Sequence, residues 1–244
     1  MSCHFRAFTV TSDPDHLGAK RLAASAKYWG WDLEWQIQGG WDRKSYRAEQ
    51  LGQLEFFRKV DPDFALYLDA WDTIFAGPPQ ELQARLVEGK LSFCGDTVLC
   101  GWSTRPWAAR LSEETFPPRP TWGFPFVNCG VMWGDTKVWK ELAEDYLGHY
   151  RGDLANQDYF NARYAFETGM GRNRLEIDTT GQVALNIMNV EGRHVARNKS
   201  NRIGYLPFKA LPLVIHSPGH GQNPLELAPM PHWMTNLYEG GLDG

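Results

Sequence analysis

The sequence predicts an α/β protein with a mainly parallel central sheet flanked by helices. Strand-like and helix-like segments alternate over the first part of the chain, a pattern that is typical of βαβ units. The chain has 244 residues, a common length for one large α/β domain. Hydrophobic residues make up 43% of it and charged residues 22%, as in ordinary globular proteins. No internal repeat, low-complexity tract or linker interrupts it, so we expect a single domain over residues 1–244.

The first half of the chain supplies the alternating elements in order. The expected strands lie at residues 5–10, 31–37, 64–68 and 91–94. The expected helices lie at residues 17–29, 44–59 and 80–87. The expected N-cap residues of the first helix are Ser12, Asp13 and Asp15. The expected apolar face of the second helix is Leu51, Leu54 and Phe57. Ligands of such sheets bind beyond the carboxyl ends of the strands, which is where we expect a site.

The second half is less regular. We expect a strand at 126–133, a helix at 138–150 and a short apolar strand at 214–216. Proline and arginine are frequent at 105–120, which indicates a long loop.

The bulk properties exclude several classes of protein. A net charge of −4 argues against a globally basic nucleic-acid binder. No apolar run is long enough to span a membrane, and the N-terminal residues do not have the pattern of a signal peptide. The cysteines, Cys3, Cys94, Cys100 and Cys129, form no CxxC pair. A reducing compartment therefore fits best, and we expect a cytoplasmic protein, or one of the host cytoplasm if it is viral.

Two carboxylates follow the predicted strand at 64–68. Asp69 and Asp72 flank Trp71 in the stretch ALYLDAWDTIFAG. An unpaired buried carboxylate costs several kcal/mol or more, so these acids need partners. Asp72 could cap a turn through Thr73 while Asp69 pairs with an arginine. Alternatively, a turn could bring both acids together as an oxygen site suited to Mg²⁺ or Mn²⁺ and a diphosphate.

Seven segments occur in a recognisable order across nearly the whole chain. They are AFTVTS (7–12), SAKYWGWDLEW (25–35), Tyr46-Arg47, LYLDAWDTIFAGPPQEL (66–82), FPFVNCGVMWGD (124–135), NQDYFNARY (156–164) and PLVIHSPGHG (212–221). Together they resemble GT-A glycosyltransferases, most closely the glycosyltransferase domain of procollagen lysyl hydroxylases and related collagen glycosyltransferases. The resemblance implies a GT-A (Rossmann-like) fold and transfer of a hexose from a UDP-sugar to a hydroxyl acceptor.

The resemblance also implies a metal site and a donor site. Mn²⁺ (or Mg²⁺) would be held by Asp69, Asp72 and His216, and an imidazole suits Mn²⁺ better than Mg²⁺. The residues implied to contact the nucleotide or sugar are Thr9, Thr11, Arg47, Trp71, Asn128, Gly130, Gly219 and His220. Several have ordinary alternatives: Trp71 could pack in the core, Arg47 could be solvated, and Asn128 could form a turn.

The catalytic segment implied by the resemblance is Asn156-Gln157-Asp158, and it departs from the family pattern. The lysyl hydroxylase domain has an aspartate where this chain has Asn156, and an amide cannot act as a base or nucleophile. Asp158 is then the candidate carboxylate, with helix capping as its alternative role. The lysine expected after His216 is also absent, so His220 or a backbone amide would replace it. We expect retention of anomeric configuration, because no general base for inversion stands out.

One basic segment indicates an acceptor. Its cationic residues are Arg193, Arg197, Lys199 and Arg202. They could form a solvated loop, or they could contact the phosphates of a nucleic acid, such as viral DNA with hydroxymethylated bases. A hydroxylysine-type protein or a glycan are other possible acceptors. A metal-dependent phosphohydrolase or nucleotidyltransferase, and a binding module without catalysis, are the competing functions.

Overall fold

A computed structural model of the chain describes residues 4–38, 46–97, 99, 114–118, 121–149, 155–188, 190, 192–200 and 202–218. The strands are β1 (Phe5–Thr11), β2 (Leu33–Ile37), β3 (Phe64–Asp69), β4 (Thr73–Phe75), β5 (Leu91–Asp96), β6 (Phe126–Asp135), β7 (Leu175–Asp178), β8 (Ala184–Asn186), β9 (Val195–Arg197), β10 (Ile203–Tyr205) and β11 (Val214–His216). The helices are α1 (Leu17–Trp29), α2 (Tyr46–Val60), α3 (Pro79–Gln83), α4 (Thr136–His149) and α5 (Asn156–Gly169). Short 3₁₀ turns cover Gly192–His194 and Leu206–Phe208.

The central sheet has the strand order β2-β1-β3-β6-β5-β7. All neighbouring pairs are parallel except those of β6, which runs antiparallel to both β3 and β5. The prediction of a mainly parallel α/β sheet is therefore confirmed, although the reversed strand was not foreseen. Because β6 is reversed, its first residues lie at the same edge as the last residues of β3 and β5.

A smaller three-stranded sheet lies beside this edge, with the order β4-β11-β8. Strand β11 pairs antiparallel with β4 and parallel with β8. A separate hairpin is formed by β9 and β10. The small sheet therefore brings the late strand β11 next to the turn that follows β3.

Side chains of alternate residues on each strand point to opposite faces of the central sheet. On one face, Phe8 and Tyr67 pack with Phe57 of α2 and Trp139 of α4. On the other face, their strand neighbours pack with α1 and the small sheet through residues such as Ala7, Leu22, Leu66 and Val214. Apolar layers on both faces hold the strands rigidly and fix the positions of their ends.

Helix α1 has the predicted bounds, but a different residue caps it. His16 is the N-cap, and its Nδ1 accepts a hydrogen bond of 3.1 Å from the Gly18 amide. The predictions for Ser12, Asp13 and Asp15 were wrong, because the chain turns into the helix only after them.

Other element predictions need smaller corrections. Helix α3 ends at Gln83, several residues before its predicted end. On α2, Leu51 is 39% exposed, so its assignment to the apolar face was wrong. The buried face of α2 instead includes the polar residues Glu49, Gln50 and Gln53.

Some predicted features lie outside the described residues. These are Cys3, Cys100 and most of the predicted loop at 105–120. Cys94 and Cys129 are buried free thiols. Among the described helices, none is both long and apolar enough to cross a membrane.

Candidate metal centre

Two carboxylates and one imidazole converge at the carboxyl edge of the central sheet. Asp69 is the last residue of β3, Asp72 lies in the turn before β4, and His216 is the last residue of β11. Strand pairing places His216 directly opposite Thr73. One ligand atom from each of the three side chains lies within 4.8 Å of the other two. The sequence prediction that these residues come together is thus matched by the geometry.

The distances within the cluster leave room for an ion between the groups. His216 Nε2 lies 3.5 Å from Asp72 Oδ1 and 3.8 Å from Asp69 Oδ2. In the described part of the chain, the ion pairs of both acids go to His216 alone. The alternative that Asp69 pairs with an arginine therefore receives no support there.

The electrostatics of the cluster show a shortage of positive charge. Loss of hydration and the nearby Asp72 carboxylate raise the pKa of Asp69 to about 6. Burial lowers the pKa of the His216 imidazole, but Asp72 and Asp69 outweigh burial and leave that pKa above its ordinary value. The raised pKa values of Asp69 and His216 thus both favour additional positive charge at this place.

Buried atoms that lack partners test whether a cation fits. Asp72 Oδ1 and both ring nitrogens of His216 are buried and have no hydrogen-bond partner among the described residues. Buried polar atoms are almost always satisfied in folded proteins. Two carboxylates and an imidazole form a donor set that suits Mn²⁺. The residues therefore fit a divalent cation.

The turn that carries the acids is fixed by other groups. The Thr73 hydroxyl donates a hydrogen bond to the main-chain oxygen of Asp69. The Ser217 amide donates to the main-chain oxygen of Asp72 at 2.8 Å. Tyr67 is buried, and its hydroxyl donates to Asp69 Oδ1 at 2.8 Å. The Asp72 carboxylate is thus not used to close the turn, as the capping alternative required.

Gly130 on β6 packs against the cluster. A Cβ atom added there would lie 2.2 Å from His216 Cε1 and 2.8 Å from Asp69 Oδ2. Only glycine leaves space for the imidazole and the carboxylate side by side. The close approach expected at Gly130 is therefore present, and the groups it admits belong to Asp69 and His216.

Asn128 is buried beside Gly130, and both ends of its amide are used within the protein. Its Nδ2 donates to Asp96 Oδ2 at 3.0 Å, and its Oδ1 accepts from the Gly130 amide at 2.9 Å. The turn-forming alternative describes Asn128 well, while its contact with a sugar remains a prediction. Asp96 is buried at the end of β5 and contributes to the raised pKa of His216.

The rings of Trp71 and His16 stack beside the acidic turn. Their centroids are 4.6 Å apart with an interplanar angle of 29°. Trp71 Nε1 donates to Thr11 Oγ1 at 3.1 Å, and the ring is partly exposed. A Cβ on Gly18 would lie 1.8 Å from the Trp71 carbonyl oxygen, so α1 packs directly on this turn. Trp71 is thus available at the surface of the site and not sealed in the core.

The remaining residues implied to contact the nucleotide or sugar differ in their positions. Thr9 is buried, and its hydroxyl donates to the Leu68 carbonyl at 2.7 Å, which ties β1 to β3. Arg47 is exposed in the first turn of α2, so its role remains a prediction. Gly219 and His220 lie outside the described residues.

The implied catalytic segment begins α5, and its first residue is held by an acid. Asn156 is buried, and its Nδ2 donates to both carboxylate oxygens of Glu49 at 3.0 Å. Gln157 is partly buried, and Asp158 lies in the first turn of the helix, whose N-cap is Ala155. Asp158 is therefore not the N-cap residue, and its catalytic role remains a prediction.

Sequence reasoning missed three polar residues of this edge: Glu49, Asp96 and Asn186. Asn186 is buried opposite His216 in the β8–β11 register. Asp96 had a usable signal, because a carboxylate after an apolar strand is the feature that drew attention to Asp69. Glu49 had no such signal, since an acid within a helix is usually solvated.

The basic segment forms the β9–β10 hairpin and the turn before it. Arg193, Arg197 and Lys199 are exposed. Arg202 is buried and pairs with Glu81 at 2.5 Å, so its predicted contact with an acceptor was wrong. Nearby, the exposed ring of Trp122 lies 4.4 Å from that of His194.

The chain has a fold similar to that of GT-A-like glycosyltransferases. No protein-family model matches the chain. The chain is 22% identical over 226 residues to human multifunctional procollagen lysine hydroxylase and glycosyltransferase LH3, which covers 91% of this chain and 29% of that protein. This chain therefore spans less than a third of the length of its human relative.

Two solved structures share the fold. A glycosyltransferase involved in glycosylation of the major capsid of PBCV-1 superposes with a TM-score of 0.56 at 9% identity, over 89% of this chain and 93% of that one. The bifunctional glycosyltransferase WbbM gives a TM-score of 0.55 at 13% identity, over 98% of this chain and 52% of that one. All three similar proteins are glycosyltransferases by name, so the resemblance found in the sequence is confirmed.

Proposed function

We propose that this protein is a metal-dependent glycosyltransferase that moves a hexose from a UDP-sugar to a hydroxyl acceptor. One observation carries the proposal. Asp69, Asp72 and His216 converge at the carboxyl edge of a glycosyltransferase fold, and buried atoms of the cluster have no partner among the described residues. In α/β sheets this edge is the usual place for a ligand. A carboxylate site for a divalent ion there commonly receives a phosphate group.

The charges of the site require a cation for such a donor. A UDP-sugar brings a negatively charged diphosphate, and the site already holds Asp69, Asp72 and Asp96. Without a cation these groups would repel the donor. Asp69, Asp72 and His216 would hold Mn²⁺ (or Mg²⁺). The bound ion would supply positive charge to the departing diphosphate.

The remaining groups would orient the donor and the acceptor. The stacked rings of His16 and Trp71 offer a surface for the uracil base, worth about 1–3 kcal/mol. In the transfer, the bond between the anomeric carbon and the phosphate oxygen breaks, and its electron pair leaves with UDP. The acceptor oxygen bonds to the anomeric carbon, and its proton passes to the departing diphosphate. Asp158, in the first turn of α5, is the carboxylate we assign to the reacting side of the sugar.

The exposed hairpin supports an anionic acceptor. Arg193, Arg197 and Lys199 give this surface positive charge, although the whole chain has a net charge of −4. Cations bind phosphates, and exposed rings such as Trp122 can stack on bases. We propose DNA with hydroxymethylated bases as the acceptor. The buried free thiols Cys94 and Cys129 suit the reducing cytoplasm, which we propose as the site of action.

The donor reaction is tested by UDP release from a panel of UDP-hexoses with Mn²⁺, Mg²⁺ or EDTA. We expect Mn²⁺-dependent release of UDP, and a loss of about 100-fold or more in Asp72→Asn. Asp61→Asn is the matched control, because Asp61 is exposed before β3, at the opposite edge of the sheet. Asparagine also tolerates its left-handed φ of 45°.

Three results would contradict the donor proposal. They are an unaffected Asp72→Asn variant, release of a nucleoside monophosphate with pyrophosphate, and UDP binding without any turnover. The second would indicate a nucleotidyltransferase, and the third a binding module.

The acceptor is tested with hydroxymethylated DNA, a hydroxylysine peptide and a free glycan. We expect transfer to DNA to fall in the double variant Arg197→Glu/Lys199→Glu, while hydrolysis of the UDP-sugar stays unchanged. Lys59→Glu, at the far end of α2, is the control. Transfer to the peptide or glycan alone would overturn the DNA proposal. Transfer to DNA without salt dependence would overturn the assigned contact between the hairpin and the phosphates.

A further inference from the structure

Trp122 holds a backbone conformation that its side chain disfavours. Its φ is 68°, in the left-handed region that a bulky L residue rarely adopts. Gly123, the next residue of the chain, would adopt that conformation without a steric penalty. Strained residues persist where the surrounding structure holds them, and they concentrate at sites that bind or react. The backbone at Trp122 therefore needs both a local support and a reason to be kept.

A buried tyrosine supplies the local support. Tyr205 on β10 is 2% exposed, and its hydroxyl donates to the Trp122 carbonyl oxygen at 2.7 Å. The ring of Tyr205 also packs against that of Phe124, two residues after Trp122, with centroids 5.6 Å apart. The turn at Trp122 is thus fastened to the β9–β10 hairpin.

The apolar packing below this turn connects it to the candidate metal centre. Phe124 and Tyr205 belong to a buried cluster that also contains Ile74 of β4 and Ile215 of β11. Ile215 immediately precedes His216 on its strand. The Trp122 turn and the metal cluster therefore rest on the same small sheet. Because close-packed interiors resist deformation, we expect the separation between them to be fixed.

The ring of Trp122 stays accessible in spite of this support. The residue is 46% exposed, although tryptophan is highly buried on average. Its ring centroid lies 4.4 Å from that of His194, at an interplanar angle of 60°. The same hairpin segment carries the exposed cations Arg193, Arg197 and Lys199. Cations that follow phosphates, together with a ring that stacks on a base, are the combination that binds single-stranded nucleic acid.

Stacking on an exposed tryptophan makes a demand on the DNA. A base inside a duplex is covered on both faces by its neighbours, so it has to leave the stack before a protein ring can reach it. An unpaired base needs no such step. The neighbouring cations favour a phosphate-bearing strand over a neutral glycan, which has no charge for them to bind.

We propose that Trp122, with His194 beside it, binds an unpaired nucleobase of the acceptor strand. The proposal deepens the proposed function and rests on it only for the nature of the acceptor. The strained backbone at Trp122 is kept because the ring that it carries outside the core binds DNA.

The test measures DNA binding without catalysis. Fluorescence anisotropy of a labelled oligodeoxynucleotide, single-stranded or annealed to its complement, is followed in EDTA without a UDP-sugar. The variants are Trp122→Tyr, which keeps a ring, and Trp122→Asn, which removes the ring but tolerates the left-handed backbone. Tyr28→Ala is the control, because Tyr28 is 45% exposed near the far end of α1. Thermal unfolding of every variant is measured in parallel.

We expect Trp122→Asn to weaken binding to the single strand by about 5- to 100-fold. Its binding to the duplex should change by no more than about twofold, because paired bases offer the ring no open face. Trp122→Tyr should stay within about threefold of the wild type on the single strand, and Tyr28→Ala should match the wild type. The unfolding temperature of Trp122→Asn should stay within about 4 °C of the wild type, so the lost affinity is not a loss of fold.

Three results would overturn the proposal. They are an affinity of Trp122→Asn for the single strand within twofold of the wild type, an equal loss on single strand and duplex, and a wild type that does not bind the single strand. An equal loss would mean that the substitution disturbs the hairpin and its cations, and that no base stacks on the ring.

Failure of the proposed function has a different signature. A wild type that binds the single strand with the expected pattern of variants but releases no UDP would overturn the glycosyltransferase proposal and leave the role of Trp122 supported. Transfer of a hexose to DNA that is unchanged in Trp122→Asn would overturn the role of Trp122 and leave the proposed function supported.

Discussion

Two buried glutamates, Glu49 on α2 and Glu167 on α5, are satisfied in opposite ways. Glu167 is 1% exposed and pairs with Arg174 at 2.5 Å and Arg163 at 3.1 Å. Burial disfavours its charge, but the arginines outweigh burial and lower its pKa below the ordinary value. Glu49 receives hydrogen bonds from amides, and burial raises its pKa. The same side chain is thus kept charged at one position and favours the neutral form at the other.

The positions of the two acids explain the difference. Arg174 immediately precedes β7, and its carbonyl accepts from the amide of Leu91 at the start of β5. Glu167 therefore stabilises the edge of the sheet away from the site. At the carboxyl edge, neither Asp69 nor Asp72 pairs with an arginine or lysine in the described part of the chain. We expect a bound cation to supply positive charge at this edge, whereas at the other edge arginines already provide it.

The largest expected effect comes from filling the space beside Asp69 and His216. Gly130→Ala would place a methyl group against His216 and Asp69, so Mn²⁺ affinity should fall by about 100-fold or more. Calorimetry with the metal alone measures this loss. Gly148→Ala is the control, because a Cβ there meets no atom within 4 Å. Equal Mn²⁺ affinity in the two variants would show that the cluster does not hold the ion.

A smaller effect, on the free energy of unfolding, is expected from changing Glu167. Glu167→Gln leaves Arg163 and Arg174 without their shared partner, and we expect the free energy of unfolding to fall by about 2 kcal/mol. The partly exposed arginines and the remaining pair of Arg174 with Glu141 keep the loss moderate. Urea unfolding measures it. Mn²⁺ affinity should not change, and a matching loss of affinity would remove the contrast between the two edges.

The smallest expected effect is the pH dependence of the stability of the metal-free protein, measured in EDTA. Asp69 has a folded-state pKa of about 6, above its unfolded value of about 3.9. The folded state therefore binds more protons, and stability falls as pH rises from about 4 to about 6. Because Asp69 is partly exposed, we expect a loss of only about 1 kcal/mol. Thermal unfolding at several pH values measures it.

Two comparisons test whether Asp69 causes this pH dependence. Asp69→Asn and saturating Mn²⁺ should each remove the contribution of Asp69 to this pH dependence. A contribution of the same sign from Glu49, whose pKa is also raised, should remain. The contribution of Glu167 to stability changes with pH in the opposite direction. Because its pKa is lowered on folding, Glu167 stabilises the protein above its unfolded pKa of about 4.3, and this stability is lost as the pH falls. A profile of the metal-free wild type that rises steadily from pH 4 to pH 6 would contradict the assignment for Asp69.

The sequence was sufficient for features that depend on local pattern. The apolar spacing of residues 17–29 gave the bounds of α1, and the alternation of elements gave a mainly parallel sheet. The joining of Asp69, Asp72 and His216 followed from the strand-end rule together with the family resemblance. Asp96 could have been found by the same rule.

Other features depend on long-range pairing and could not be predicted. The reversal of β6 depends on its neighbours, and no residue of β6 encodes it alone. Glu49 lies on a helix whose apolar spacing favoured Leu51 as a buried residue. Its buried carboxylate is satisfied in part by Asn156, which is supplied by another element. Polar residues satisfied across elements leave no periodic signal in the sequence.

The pairing of β11 with β4 has a consequence for the order of assembly. The acids Asp69 and Asp72 are synthesised well before His216, which arrives on a strand of the small sheet. A partly folded chain would thus expose two carboxylates but lack the imidazole. High-affinity binding of the proposed cation would then have to wait until the late strand has docked, so it would require a completed tertiary structure.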